Sequence, residues 1–60
     1  MKIMLIVKKI EKGDIIDNLQ YKFNSVKKVN IEDDFVLVQV EEEDKISFYK
    51  FKNVRQLFID

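Results

Sequence analysis

The chain has no cysteine, histidine, proline, alanine or tryptophan, and a single glycine, Gly13, among its 60 residues. Each absence closes a class. Without Cys or His, neither disulfides nor a structural zinc can staple a small scaffold. Thiol nucleophiles, Ser-His-Asp relays, imidazole bases, haem ligation and iron–sulfur sites each need a residue type that is missing. One glycine cannot build a phosphate loop or a dinucleotide fingerprint. The longest apolar run, residues 3–7, is shorter than a signal-peptide core and far short of the ~20 residues of a membrane span. The chain therefore reads as a cytoplasmic protein with no membrane partner, no cofactor, no metal and no catalytic residues, hence not an enzyme.

What is present is the inventory of strands. Ile and Val together number 15, with five Phe and two Tyr, and 47% of residues are apolar, too many for a disordered tail. A folded chain of this size buries only about 60% of its unfolded surface, so its own core is marginal and self-association is the staple left to it. Lys outnumbers Arg ten to one, which matches an AT-rich coding sequence, as in phage and mobile-element accessory genes. Net charge is zero, so there is no general pull on phosphates. The halves differ: residues 1–30 carry seven Lys against three acids, and residues 31–60 four bases against eight acids.

Residues 21–32 (YKFNSVKKVNIE) and 49–60 (YKFKNVRQLFID) align at an offset of 28 with five identities. The shared pattern reads as a strand ending in Phe, a tight polar turn at Asn24-Ser25 or Lys52-Asn53, a Val beneath it, and a second alternating strand. Each half is then a hairpin, preceded by a further strand at residues 2–9 or 35–41. The expectation is a single all-β domain over residues 1–60, a small antiparallel sheet or barrel of five to six short strands built from two similar hairpin units. Residues 13–19 (GDIIDNL) break the pattern and read as a helical turn or an irregular entry into a strand at 19–23.

Directly opposed residues share a face, so registers can be proposed. A two-residue turn at Asp33-Asp34 pairs Ile31 with Val36 and Val29 with Val38. A three-residue turn at Glu42-Glu43-Asp44 pairs Val40 with Ile46, Val38 with Phe48 and Leu37 with Tyr49. One face then holds Val29, Ile31, Val36, Val38, Val40, Ile46 and Phe48. The other holds Phe35, Leu37, Tyr49 and Phe51, which a monomer would leave wet.

The run Glu41, Glu42, Glu43 and Asp44 lacks the glycine of a calcium loop and reads as a solvated turn. The twin Tyr-Lys-Phe triplets interleave aromatics with Lys, but strand alternation sends the rings to one face and the Lys to the other, which favours packing over base stacking. The expected function is a non-enzymatic protein-interaction or inhibitor module, a homo-oligomer with a dimer first, contacting itself through Phe35, Leu37, Tyr49 and Phe51. Two alternatives stand beside it. One is a small barrel binding single-stranded nucleic acid through Lys8, Lys9, Lys27, Lys28 and Arg55. The other is a protein that sequesters a nucleotide-like small molecule.

Overall fold

The computed structural model describes residues 1–60, the side chain of Ile16 excepted. Six strands follow in order: β1 (Ile3–Glu11), β2 (Asp14–Phe23), β3 (Val26–Ile31), β4 (Phe35–Glu42), β5 (Lys45–Lys52) and β6 (Val54–Ile59). They form two antiparallel three-stranded sheets, ordered β2-β1-β6 and β3-β4-β5. The fold is small and all-β, and it has two similar hairpin units, β1–β2 and β4–β5. β6 returns to pair with β1, as it would in a barrel, yet β2 and β3 share no ladder and neither do β5 and β6, so no closed barrel forms. No helix is long and apolar enough to cross a membrane among the described residues.

The repeated Tyr-Lys-Phe segment ends in a corner between sheets, not in a hairpin turn. Phe23 pairs with Ile3 in one sheet while Val26 pairs with Val40 in the other. The second corner sits at Asn53, whose φ of 61° is one that Asn tolerates well. A hairpin here would put every apolar residue of one half on a single uncovered face. Two corners let the inner faces cover each other. Residues 14–18 are strand, contrary to the irregular reading, and they extend the β1–β2 hairpin to a turn at Lys12-Gly13, both at positive φ. A ten-residue strand spans about 33 Å, and this hairpin accounts for the long axis of a 39 × 18 × 17 Å molecule.

The core consists of Ile3, Leu5 and Val7 from β1, Val26 from β3, and Val36, Val38 and Val40 from β4. Leu5 and Val38 are fully buried, at 0% exposure. The Asp33-Asp34 turn has the expected register, with Ile31 opposite Val36 and Val29 opposite Val38. The β4–β5 register differs by one residue. Glu42 pairs with Lys45 across a two-residue turn, Glu43-Asp44, whose φ values are 50° and 63°. Val38 therefore faces Tyr49 and Val36 faces Phe51, while Ile46 and Phe48 pass to the outer face. Both central residues of a type I′ turn need positive φ. Neither Gly nor Asn marks this turn in the sequence.

The two halves superimpose in pattern. β1 matches β4, β2 matches β5 and β3 matches β6, and each half donates its third strand to the other half's sheet. The registers make Ile3, Leu5 and Val7 equivalent to Val36, Val38 and Val40, Tyr21 and Phe23 to Tyr49 and Phe51, and Val26, Val29 and Ile31 to Val54, Leu57 and Ile59. One pair of irregularities matches too: a register shift around Lys27 in one sheet has its counterpart around Arg55 in the other, whereas the shift between Lys9 and Ile10 in the longer β1–β2 hairpin has none in β4–β5. The joining bonds match as well. Glu32 N–H donates to the Phe35 carbonyl at 2.9 Å, and Asp60 N–H donates to the Lys2 carbonyl at 2.9 Å.

Candidate interaction surface

Strand alternation divides the four residues expected to form one interface. Phe35 and Leu37 lie on the outer face of β4, but Tyr49 and Phe51 point inward. There they meet the equivalent rings of β2: Tyr21 and Phe51 centroids are 4.8 Å apart, Phe23 and Tyr49 5.0 Å, and Phe23 and Phe51 5.8 Å, all tilted. Such pairs contribute about 0.5–1.5 kcal/mol each beyond burial. Phe23 and Phe51 are half-buried and pack against the core, whereas Tyr21 and Tyr49 stay 38% and 44% exposed at its edge. The places of Tyr49 and Phe51 on the outer face are taken by Ile46 and Phe48, 50% and 63% exposed.

The outer face of β4–β5 thus carries Phe35, Leu37, Ile46 and Phe48. Lys50 reaches back over Phe35, its ammonium 4.4 Å from the ring centroid. The sister sheet supplies an internal control. The positions equivalent to Phe35, Ile46 and Phe48 are Lys2, Asn18 and Gln20. The same hairpin forms with polar side chains at those three positions, so folding does not demand apolar residues there, although Met4 is the equivalent of Leu37 and the sister sheet carries Ile6 and Phe58 on its own outer face. The corrected register would have been legible from the repeat, because it requires Tyr49 and Phe51 to do what Tyr21 and Phe23 do.

The five basic residues read as anion contacts do not share one stripe. Lys27 pairs with Glu41 at 3.2 Å. Lys28 lies opposite Gln39 on sheet β3-β4-β5, and Lys9 lies opposite Asp17 on the long hairpin. Lys8 and Arg55 occupy the places that Glu41 and Lys27 take in the other half, so that sheet has two like charges where its sister has an ion pair. The acidic residues 41–44 are all exposed at the β4–β5 turn.

A groove of about 450 Å³ opens between the 32–34 turn and β6. Val36, Val54 and Leu57 form its apolar floor, Phe35 and the 66%-exposed Ile31 its apolar rim, and Glu32, Asp33, Asp34 and Arg55 its charged mouth. A search of known protein families, of curated proteins and of solved structures finds no match to this chain.

Proposed function

We propose that this chain is a non-enzymatic interaction module that works as a homodimer, its copies meeting through the outer face of β4–β5. The observation that carries the reading is the set Phe35, Leu37, Ile46 and Phe48, apolar on two adjacent strands where three of the four equivalent positions, Lys2, Asn18 and Gln20, are polar and the fourth is Met4. Apolar patches of this kind on soluble proteins mark contact sites. The surface area supports it. The chain exposes 4790 Å², whereas a compact monomer of its mass exposes about 4100 Å². That excess is close to the roughly 800 Å² each partner buries in a standard interface. Lys28, opposite Gln39, Lys50, opposite Leu37, and Glu41, opposite Ile46, give this face both signs of charge, which sets orientation more than affinity.

Sedimentation equilibrium at micromolar concentration tests the reading. The wild-type chain should sediment as a dimer. Phe48→Lys should raise the dimer dissociation constant by about 10- to 100-fold, the cost of a central aromatic anchor, while leaving the far-ultraviolet circular dichroism spectrum unchanged. A wild-type chain that stays monomeric, or a Phe48→Lys variant that associates as tightly, overturns it.

A further inference from the structure

The pseudo-symmetry breaks beside Val54, and there it leaves a strand edge open. Val26 forms a non-hydrogen-bonded pair with Val40, because Glu41 N–H donates to the Ser25 carbonyl at 3.0 Å on one side of it. The N–H and C=O of Val26 therefore point away from β4, and Met1 takes both. Val26 N–H donates to the Met1 carbonyl at 3.0 Å, and the Met1 nitrogen donates to the Val26 carbonyl at 3.1 Å. Val54 stands in the same phase against Val7, since Lys8 N–H donates to the Asn53 carbonyl at 2.9 Å. Its N–H and C=O also point away from the ladder. The residue equivalent to Met1 is Asp34, which turns back into the 32–34 turn; β6 has a ladder with β1 alone, and no turn or loop bond reaches either backbone group of Val54 among the described residues. The space that Met1 occupies in one half is the groove of about 450 Å³ in the other.

We propose that this groove binds an extended, basic segment of a partner protein, which adds to Val54 as Met1 adds to Val26. Three features define the occupant. The free N–H and C=O of Val54 ask for an extended backbone. The floor of Val36, Val54 and Leu57, with Ile31 at its rim, takes an apolar side chain. The mouth carries three carboxylates, Glu32, Asp33 and Asp34, against the one guanidinium of Arg55, so flanking lysine or arginine residues are favoured and an acidic segment is repelled. This site shares Phe35 with the self-association surface proposed above but centres on Val54 and the 32–34 turn rather than on Leu37 and Phe48, so the two readings fail on different results.

The probe is a fluorescein-labelled peptide KMKIMK, titrated with the full chain and read by fluorescence anisotropy, with amide shifts mapped by NMR. Binding should saturate in low salt and weaken by about tenfold between roughly 0.05 and 0.5 M salt. Shifts should cluster at residues 31–36 and 53–57. The peptide EMEIME, and KMKIMK with methylated backbone nitrogens, should not bind. The double variant Asp33→Lys/Asp34→Lys, altered only at exposed turn positions, should lose about tenfold in affinity. Four results overturn the proposal: no anisotropy change at millimolar chain, undiminished binding by the double variant, shifts centred on Leu37 and Phe48, or the same groove shifts appearing without peptide as the chain is concentrated. The last would make a second copy the occupant.

Discussion

Replacing Val38 with Asp tests the core. Val38 is at 0% exposure on the middle strand of sheet β3-β4-β5, with Val29 on one side and Tyr49 on the other. No polar side chain is buried among the described residues, so nothing stands ready to pair with a carboxylate there. Losing the packed Val costs about 1–3 kcal/mol. Stranding an unpartnered carboxyl costs several kcal/mol more. The whole stability of a 60-residue domain is roughly 3–9 kcal/mol at ordinary values per residue. Val38→Asp should therefore unfold the chain at pH 7. The sign of the pH dependence follows from linkage. Burial raises the carboxyl pKa in the folded state above its unfolded value of about 3.9, so the folded state binds more protons and stability falls as pH rises through that window. The penalty should be smallest below about pH 3, where the carboxyl is largely neutral in both states. Val38→Asn serves as the control, with a cost that does not track pH and cancels the background of exposed acids. Thermal melts by circular dichroism between acidic and neutral pH read both. A Val38→Asp chain that melts like wild type at pH 7, or whose deficit against Val38→Asn is flat with pH, would refute the burial argument.

Two further outcomes concern turns. Glu43→Asn with Asp44→Gly should raise stability by about 1 kcal/mol without moving the β4–β5 register, because both positions already sit at positive φ; a lower melting temperature would contradict the two-residue turn. Gly13→Ala should cost about 1 kcal/mol through its φ of +82° alone, since no atom lies within 4 Å of the added methyl; a neutral result in denaturant melts would contradict that backbone assignment.

Which parts of the fold were legible follows from where apolar periodicity is unambiguous. In β3 and β4 the inner row is Val29, Ile31, Val36, Val38 and Val40, and the short Asp33-Asp34 turn fixes one register, so the pairing and the burial of Val38 could be read directly. In β5 both rows are apolar: Ile46 and Phe48 alternate with Tyr49 and Phe51, and hydrophobic pattern alone cannot choose between two- and three-residue turns. The turn carries Glu and Asp where type I′ geometry favours Asn or Gly, so turn chemistry misled as well. The expected interface contained Phe35 and Leu37 correctly on an outer face, and Tyr49 and Phe51 moved inward with the register. Corners were hidden because a polar Asn24-Ser25 pair between two apolar strands looks the same in sequence whether the chain reverses within a sheet or crosses to another. The open edge at Val54 had no sequence signal, because it arises from the difference between Met1 and Asp34 in space.

The exchange of third strands has its own physical consequence. Each half by itself holds one hairpin, and an isolated two-stranded hairpin is at best marginally stable in water. β6 completes the sheet of β1 and β2, and β3 completes that of β4 and β5, so each sheet depends on a strand from the other half. Ile3 pairs with Ile59, near opposite ends of the chain, and that contact forms only after most of the intervening chain is ordered. The inner positions are thereby tied together: Leu5 and Val38 are equivalent sites of one core, and a defect at either weakens both sheets. Outer positions escape this coupling. Lys22 and Lys50 agree across the pseudo-symmetry, but Gln20 faces Phe48, Asn18 faces Ile46 and Phe58 faces Asn30 as equivalents, with no cost to the shared fold. Residues free of the core constraint can differ between the halves, and they do so in both directions: Ile46 and Phe48 are apolar where Asn18 and Gln20 are polar, and Phe58 is apolar where Asn30 is polar.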